Sequence, residues 1–117
     1  MTLVNISTQG LIANKVVLAD DPFSRMKGLL GRASFSDGEA LIISGCHSIH
    51  MLFMRFAIDV VFVDRSWFVV GLVRGIRPFA FSPVFWKAFR AIELPSGSIA
   101  RKGIEIGQKL FLEKSGR

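Results

Sequence analysis

The clearest feature of the hydrophobic pattern is a predicted strand at 57–63 that is apolar on both faces. Ile58, Val60 and Phe62 fall on one face, and Val61 and Val63 fall on the other. A strand with one wet face alternates apolar and polar residues, so a strand that is apolar on both faces is expected at the centre of a sheet. The polar break at 64–66 and the apolar segment 67–74 predict that this strand continues into a hairpin.

Shorter β patterns occupy much of the remaining chain. They lie at 2–7 and 11–19 around Gly10, and at 39–44, 49–54, 89–94 and 108–113. A helix is predicted at 22–31, with an aspartate before it as N-cap, Pro22 in its first turn and Gly31 at its end. One further helical turn is predicted at 98–102, after the turn Pro95-Ser96-Gly97.

These elements predict one domain over residues 1–117, because the chain has no linker, repeat or low-complexity tract. The predicted fold class is α+β and mainly β. We expect a small twisted or barrel-like antiparallel sheet, with one short helix near the N-terminus packed against it.

Composition predicts an ordered, soluble protein. Half of the 117 residues are apolar, which is enough for a core without metal or disulfide support. The single cysteine cannot form an internal disulfide, no export signal is visible, and the longest apolar run is far shorter than the roughly 20 residues of a membrane-spanning helix. We therefore expect a cytoplasmic protein without a transmembrane segment. No phosphate-binding glycine motif occurs, and no cofactor is predicted.

Charge is distributed unevenly. The chain has 15 Lys and Arg against nine Asp and Glu, a formal net charge of +6. No acid occurs between Asp64 and Glu93, whereas this segment carries seven aromatic residues and five cations: Arg65, Arg74, Arg77, Lys87 and Arg90. The segment fits a surface for single-stranded nucleic acid or an anionic membrane. In the alternative interpretation, Phe79, Phe81, Phe85, Trp86 and Phe89 fill the core or a barrel mouth while the charges are solvated.

Cys46, His47 and His50 have the side chains of a zinc site or of a cysteine nucleophile activated by histidine. Geometry limits the zinc hypothesis. In an extended segment Cys46 and His50 stand about 13 Å apart, and His47 faces the other way. The alternative is that Cys46 is a small buried apolar side chain, as cysteine often is.

Asp59 and Glu93 are carboxylates within apolar strand patterns, where an unpaired charge would be costly. Arg25, Arg32 and Arg55 are their expected partners. One interpretation is a structural ion-pair network that holds the early helix against the sheet. The other is a small enzyme or ligand pocket around Asp59, Glu93, Arg55 and His50, in which an acid or a histidine acts as general base.

Four segments carry a family resemblance. They are Arg25-Met-Lys-Gly-Leu-Leu-Gly-Arg32, the stretch from Met54 to Asp64, Ile92-Glu-Leu-Pro-Ser-Gly97 and Gly103-Ile-Glu-Ile-Gly107. In order and spacing they resemble Domain of Unknown Function family 192, a family of small prokaryotic proteins. The resemblance implies a compact β-rich fold and no agreed activity. The segment Leu-Phe-Met-Arg-Phe departs from the Trp-Met-x-x-Thr of many members.

The function favoured by the sequence is a non-enzymatic binding or adaptor module. Its partner would be an anionic macromolecule or a protein, and a homodimer is also compatible with the aromatic segment. The predicted binding residues are Arg25, Arg32, Arg55, Arg74, Arg77, Lys87, Arg90 and Trp86.

Overall fold

Eight strands and one helix make up the part of the chain that the computed structural model describes, residues 1–19, 35–48, 56–78 and 80–114. The elements are β1 (Thr2–Asn5), β2 (Gly10–Ala13), β3 (Lys15–Ala19), β4 (Glu39–Ser44), β5 (Ile58–Val63), β6 (Val69–Ile76), β7 (Arg90–Pro95), α1 (Ser98–Lys102) and β8 (Leu110–Glu113). The mainly β prediction is confirmed.

The strands form two sheets. The larger has the order β3-β4-β7-β5-β6, and the smaller has the order β2-β1-β8. Strands β3 and β4 pair in parallel, whereas the other pairs are antiparallel. Of the predicted twisted or barrel-like antiparallel sheet, the single sheet, the wholly antiparallel pairing and the barrel-like form are therefore wrong, since the described strands form two sheets, include one parallel pair and do not close into a barrel. Parallel pairing needs a long crossover, and the interval between β3 and β4 provides the length for one.

Strand β5 lies between β7 and β6, and all six of its residues are buried. Its central position and its hairpin with β6 confirm the predictions from its two-sided apolar pattern. On one face, Val61 and Val63 join a first core shared with the smaller sheet and α1. On the other face, Val60 and Phe62 join a second core that is covered by loops.

Phe85 anchors the loop that covers the second core. Its ring centroid lies 4.6 Å from that of Phe62. Gly71 is paired with Phe62 on the neighbouring strand, and a Cβ added to Gly71 would overlap the Phe85 ring. The absence of a side chain at Gly71 therefore creates the space for the ring.

Helix α1 confirms the predicted turn of helix at 98–102. Gly97 precedes it at φ 90°, and Gly103 ends it at φ 64°, both left-handed conformations that favour glycine. The described short helix thus lies in the C-terminal third of the chain. The helix predicted near the N-terminus at 22–31 and the strand predicted at 49–54 fall outside the described residues.

Candidate anion-binding site

The turn between β5 and β6 forms one wall of the candidate site. The Oδ1 atom of Asp64 accepts hydrogen bonds from the backbone N–H groups of Ser66 at 2.9 Å and Phe68 at 3.0 Å. Trp67 closes the turn at φ 71°, a conformation that costs a bulky residue about 1 to 3 kcal/mol. The turn leaves Arg65 exposed at its tip.

The segment that leads into β7 forms the opposite wall. The backbone N–H of Phe85 donates to the carbonyl of His47 at 2.9 Å. The carbonyl of Phe89 accepts from the N–H groups of Gly45 at 2.6 Å and Cys46 at 3.0 Å. These bonds hold residues 85–89 beside the end of β4.

A pocket of about 540 Å³ lies between the two walls. It is lined by Gly45, His47, Asp64, Arg65, Ser66, Trp86, Lys87, Ala88 and Phe89. The lining combines aromatic rings with cations at the end of the central strands, where β5 and β7 meet the turn.

Two arginines stack on the aromatic rings of this region. The Arg65 Cζ atom lies 4.0 Å from the centroid of the Phe89 ring. The Arg90 Cζ atom lies 4.9 Å from the same centroid and 4.4 Å from that of Trp67. Both guanidinium groups are thus fixed by cation–π contacts, which favour arginine on an aromatic face.

These guanidinium groups are not neutralised by a carboxylate within the described part of the chain. Arg90 donates weakly to the backbone carbonyls of Asp64 at 3.5 Å and Arg65 at 3.4 Å. Burial, and then the positive charge of Arg65, lower the pKa of Arg90 from its usual value. The region therefore carries positive charge that an anion would stabilise.

Lys87, His47 and Trp86 complete the rim. Lys87 is exposed and makes no ion pair with the described residues. The Trp86 side chain is 80% exposed, and its ring centroid lies 6.0 Å from that of His47 at a tilt of 44°. An exposed indole in the same lining as Arg65 and Lys87 gives the pocket a flat apolar surface next to its positive charge.

The structure separates the cations of the basic segment into two groups. Arg65 and Lys87 line the pocket, at the end where Val63 pairs with Val69, and Arg90 lies beside it against the Phe89 ring. Arg74 and Arg77 lie near the other end of β6, where Ile76 pairs with Ile58. Of the other predicted binding residues, Arg25, Arg32 and Arg55 fall outside the described residues.

The aromatic residues of the segment also divide. Phe85 packs against the second core, as the packing interpretation predicts, whereas Phe89 lies in the pocket lining beneath the arginines. Trp86 and Phe81 are instead 80% and 71% exposed. Phe79 lies outside the described residues.

Asp59 and Glu93 do not converge. Asp59 is paired with Leu94 and shares its face, which belongs to the first core. Glu93 is paired with Val60 and with Leu41, on the face of the second core. The two carboxylates therefore point to opposite sides of the sheet and do not line one pocket together. His50 and Arg55, its other predicted members, fall outside the described residues.

Asp59 is satisfied by backbone donors. Its side chain is almost fully buried, with Oδ1 accepting from the N–H of Gly75 at 2.8 Å and Oδ2 accepting from the N–H of Ile99 at 2.8 Å. The prediction that Asp59 is buried and hydrogen-bonded is confirmed, and its expected partners Arg25, Arg32 and Arg55 lie outside the described residues. The carboxylate joins β5 to β6 and to the first turn of α1.

Cys46 is half-buried against the second core, and its Sγ lies 3.0 Å from the carbonyl oxygen of Ser48. The described residues contain no group of three His, Cys, Asp or Glu side chains that could hold a metal. His47 lies at the pocket, whereas His50 falls outside the described residues. The zinc and nucleophile hypotheses gain no support from the described geometry.

Arg65 is not among the binding residues predicted from the sequence, although it belongs to the same acid-free segment. Its position in the polar break between two apolar strands was the available signal, because such a break places a side chain at an exposed turn. Stacking on Phe89 depends on the fold and has no local signature.

Comparison with known proteins supports the family resemblance. The profile of DUF192, an uncharacterized ACR family, matches residues 3–112. The chain belongs to the DUF192 family. A UPF0127 protein of Thermococcus sibiricus is 34% identical over 115 residues, which are 95% of this DUF192 chain and 74% of the relative.

Two crystal structures share the fold. A protein of unknown function from Novosphingobium aromaticivorans has a TM-score of 0.79 at 22% identity, with 95% of this DUF192 chain and 82% of that chain covered. A candidate transcription regulator from Sinorhizobium meliloti has a TM-score of 0.75 at 20% identity, with 94% and 89% covered. At these identities the likeness concerns the fold. No helix in the described part of the chain is long and apolar enough to cross a bilayer.

Proposed function

We propose that this domain is a non-enzymatic binding module that holds a phosphate-bearing anion in the pocket between residues 64–67 and 85–89. The ligand's anionic group would lie against Arg65, Lys87 and Arg90. Of the cations in the basic segment, Arg65, Lys87 and Arg90 would therefore contact the ligand, and Arg74 and Arg77 would not.

The observation that carries the proposal is the pair of arginines on Phe89. Arg65 and Arg90 both stack within 5 Å of this ring centroid, and neither has a carboxylate partner in the described part of the chain. Like charges so placed repel each other, and an anion between them would remove that cost. Arg101 and Lys102 provide a contrast, because both lie within 4 Å of the Asp37 carboxylate.

Phosphate suits this arrangement better than a single carboxylate. A guanidinium group presents several donors in one plane and binds phosphate oxygens in pairs, while a lysine adds a flexible point charge. Two arginines and a lysine can therefore bind a group that carries more than one negative charge.

The Sinorhizobium protein of similar fold is a candidate transcription regulator. A regulator of that kind would act near nucleic acid, whose charge lies on phosphates. The shared fold makes this ligand class worth testing and assigns no activity to the present chain.

The test is calorimetric titration of the purified protein with inorganic tripolyphosphate at low salt. The variant Arg65→Ser/Arg90→Ser should bind at least about tenfold more weakly, because charge-assisted hydrogen bonds contribute about 1.5 to 3 kcal/mol each. The matched control Arg74→Ser/Arg77→Ser removes the same charge from the other end of β6, and it should bind within about twofold of the unmodified protein.

Two results would overturn the proposal. One is the absence of binding by the unmodified protein at low salt. The other is an equal loss in both double variants, because that would attribute binding to net charge instead of to the pocket. Circular dichroism of each variant checks that the fold is retained.

A further inference from the structure

We infer that the ligand of this pocket is single-stranded nucleic acid, with a base stacked on Trp86 and backbone phosphates at Arg65, Lys87 and Arg90. This inference rests on the proposed function and adds a stacked base and further phosphates to the anion. It follows from how the aromatic rings alternate with the cations around the pocket.

Trp86 provides the surface for a base. Its side chain is 80% exposed and lines the pocket beside Lys87, while its backbone neighbour Phe85 is held in the second core. A large exposed ring on an anchored segment is ready to stack at little cost in conformational freedom. Every nucleobase has a π face, so stacking of this kind tolerates any sequence.

The contacts between cations and aromatic rings cover more surface than one phosphate group could touch. Arg65 lies over Phe89, and Arg90 lies between Phe89 and Trp67. Phe68, which follows Trp67 in the sequence, is 42% exposed, and Lys109 Nζ lies 4.6 Å from its ring centroid. Cations and aromatic rings therefore continue from Trp86 past the turn to Lys109, the residue before β8. Such a row suits a polymer better than a single phosphate group.

Asp64 is the acidic side chain that lines the pocket. Its Oδ1 atom is held by two backbone N–H groups in the turn, so its charge is partly compensated where it lies. Arg65 and Lys87 in the lining, with Arg90 beside it on Phe89, therefore outweigh one engaged carboxylate at this surface.

The experiment measures the affinity of oligothymidylates of one, two, four and eight nucleotides by quenching of tryptophan fluorescence. Affinity should rise at least about tenfold from one to four nucleotides, because added phosphates and bases reach further cations and rings. Oligouridylates are measured in parallel to separate DNA from RNA.

A matched pair of aromatic variants tests the stacking. Trp86→Ala should weaken tetranucleotide binding about five- to hundredfold, the range expected for one stacked base, and Trp86→Phe should restore most of it. Phe81→Ala removes another ring of similar exposure outside the pocket lining and should leave binding unchanged. These three binding curves are followed by anisotropy of a labelled oligonucleotide, since Trp86 also supplies the fluorescence signal.

Salt dependence provides an independent readout. Contact with three phosphates predicts a slope of log K against log salt of about −2 for a single strand, and Arg65→Ser/Arg90→Ser should reduce it to about −0.7. The control Arg74→Ser/Arg77→Ser should keep the slope of the unmodified protein.

The outcomes separate this inference from the broader proposal. Binding of tripolyphosphate without any gain from oligonucleotide length, or without loss in Trp86→Ala, would overturn nucleic-acid binding and leave the anion site standing. Tighter binding to vesicles of phosphatidylcholine and phosphatidylserine than to the octanucleotide would overturn it in favour of a membrane surface. If the unmodified protein binds none of these anions, both the anion site and nucleic-acid binding are overturned.

Discussion

Replacing Asp59 with asparagine tests the buried hydrogen bonds that join β5, β6 and α1. The carboxylate uses one oxygen for the Gly75 N–H and the other for the Ile99 N–H, each at 2.8 Å. An asparagine keeps one acceptor oxygen but directs an NH₂ donor towards the second N–H. Because the site is almost fully buried, water cannot restore the lost bond.

The expected loss in the free energy of unfolding is about 2 to 4 kcal/mol. It combines one charge-assisted hydrogen bond, about 1.5 to 3 kcal/mol, with the cost of a buried donor that faces another donor, about 1 to 3 kcal/mol, reduced by local relaxation. A domain of this size has about 5 to 15 kcal/mol of stability, so the variant should still fold.

Asp64→Asn is the matched control. Asp64 also accepts two backbone N–H groups, but it does so with Oδ1 alone, which asparagine retains as its carbonyl oxygen. Its side chain is also less buried than that of Asp59. The control should lose no more than about 1 kcal/mol.

Urea unfolding followed by circular dichroism compares the two variants. With m about 1 to 3 kcal/mol/M, Asp59→Asn should lower the midpoint by about 0.7 to 4 M, without a change in m. The reasoning would be refuted by a loss below about 1 kcal/mol in Asp59→Asn, or by equal losses in the two variants.

Two further predictions concern packing and a buried amide. Gly71→Ala should cost about 1 to 3 kcal/mol in urea unfolding, because its Cβ would meet the Phe85 ring, whereas Gly10→Ala should cost less; equal losses would contradict the packing argument. Asn5→Asp should lower the thermal midpoint by several degrees, since the buried Nδ2 donor to Gln108 Oε1 would be replaced by an acceptor; an unchanged midpoint would show that this 2.7 Å bond contributes little.

Strand β5 shows how much of the fold follows from local pattern. Apolar residues on both faces predict its central place, because only a strand between neighbours and between two cores can bury all of them. The parallel pairing of β3 with β4 could not be predicted in this way. It depends on how the chain crosses between them, and the local pattern of β3 is the same for either direction of pairing.

Asp59 shows the corresponding limit for side-chain partners. The apolar residues around Asp59 predict its burial, and the structure confirms it. A buried carboxylate needs hydrogen-bond or ion-pair partners. Its donors come from positions 16 and 40 residues away, and both are backbone N–H groups that carry no residue-type signal. The separation of Asp59 from Glu93 likewise depends on strand register, which fixes the face of each residue.

The sequence predicts a basic aromatic surface over Arg65 to Arg90 but no pocket at one end of it. Absence of acids over Arg65 to Arg90 indicates positive potential, but it does not distinguish the cations at the turn from those near the far end of β6. The hairpin register makes that distinction, since it places Arg74 and Arg77 away from Phe89.

The most direct test of the anion site is nuclear magnetic resonance observation of the arginine Nε–Hε groups during titration with tripolyphosphate. The signals of Arg65 and Arg90 should shift progressively and saturate together, while those of Arg74 and Arg77 remain in place. Equal shifts at all four arginines, or shifts at Arg74 and Arg77 alone, would contradict a binding site in the pocket beside Phe89.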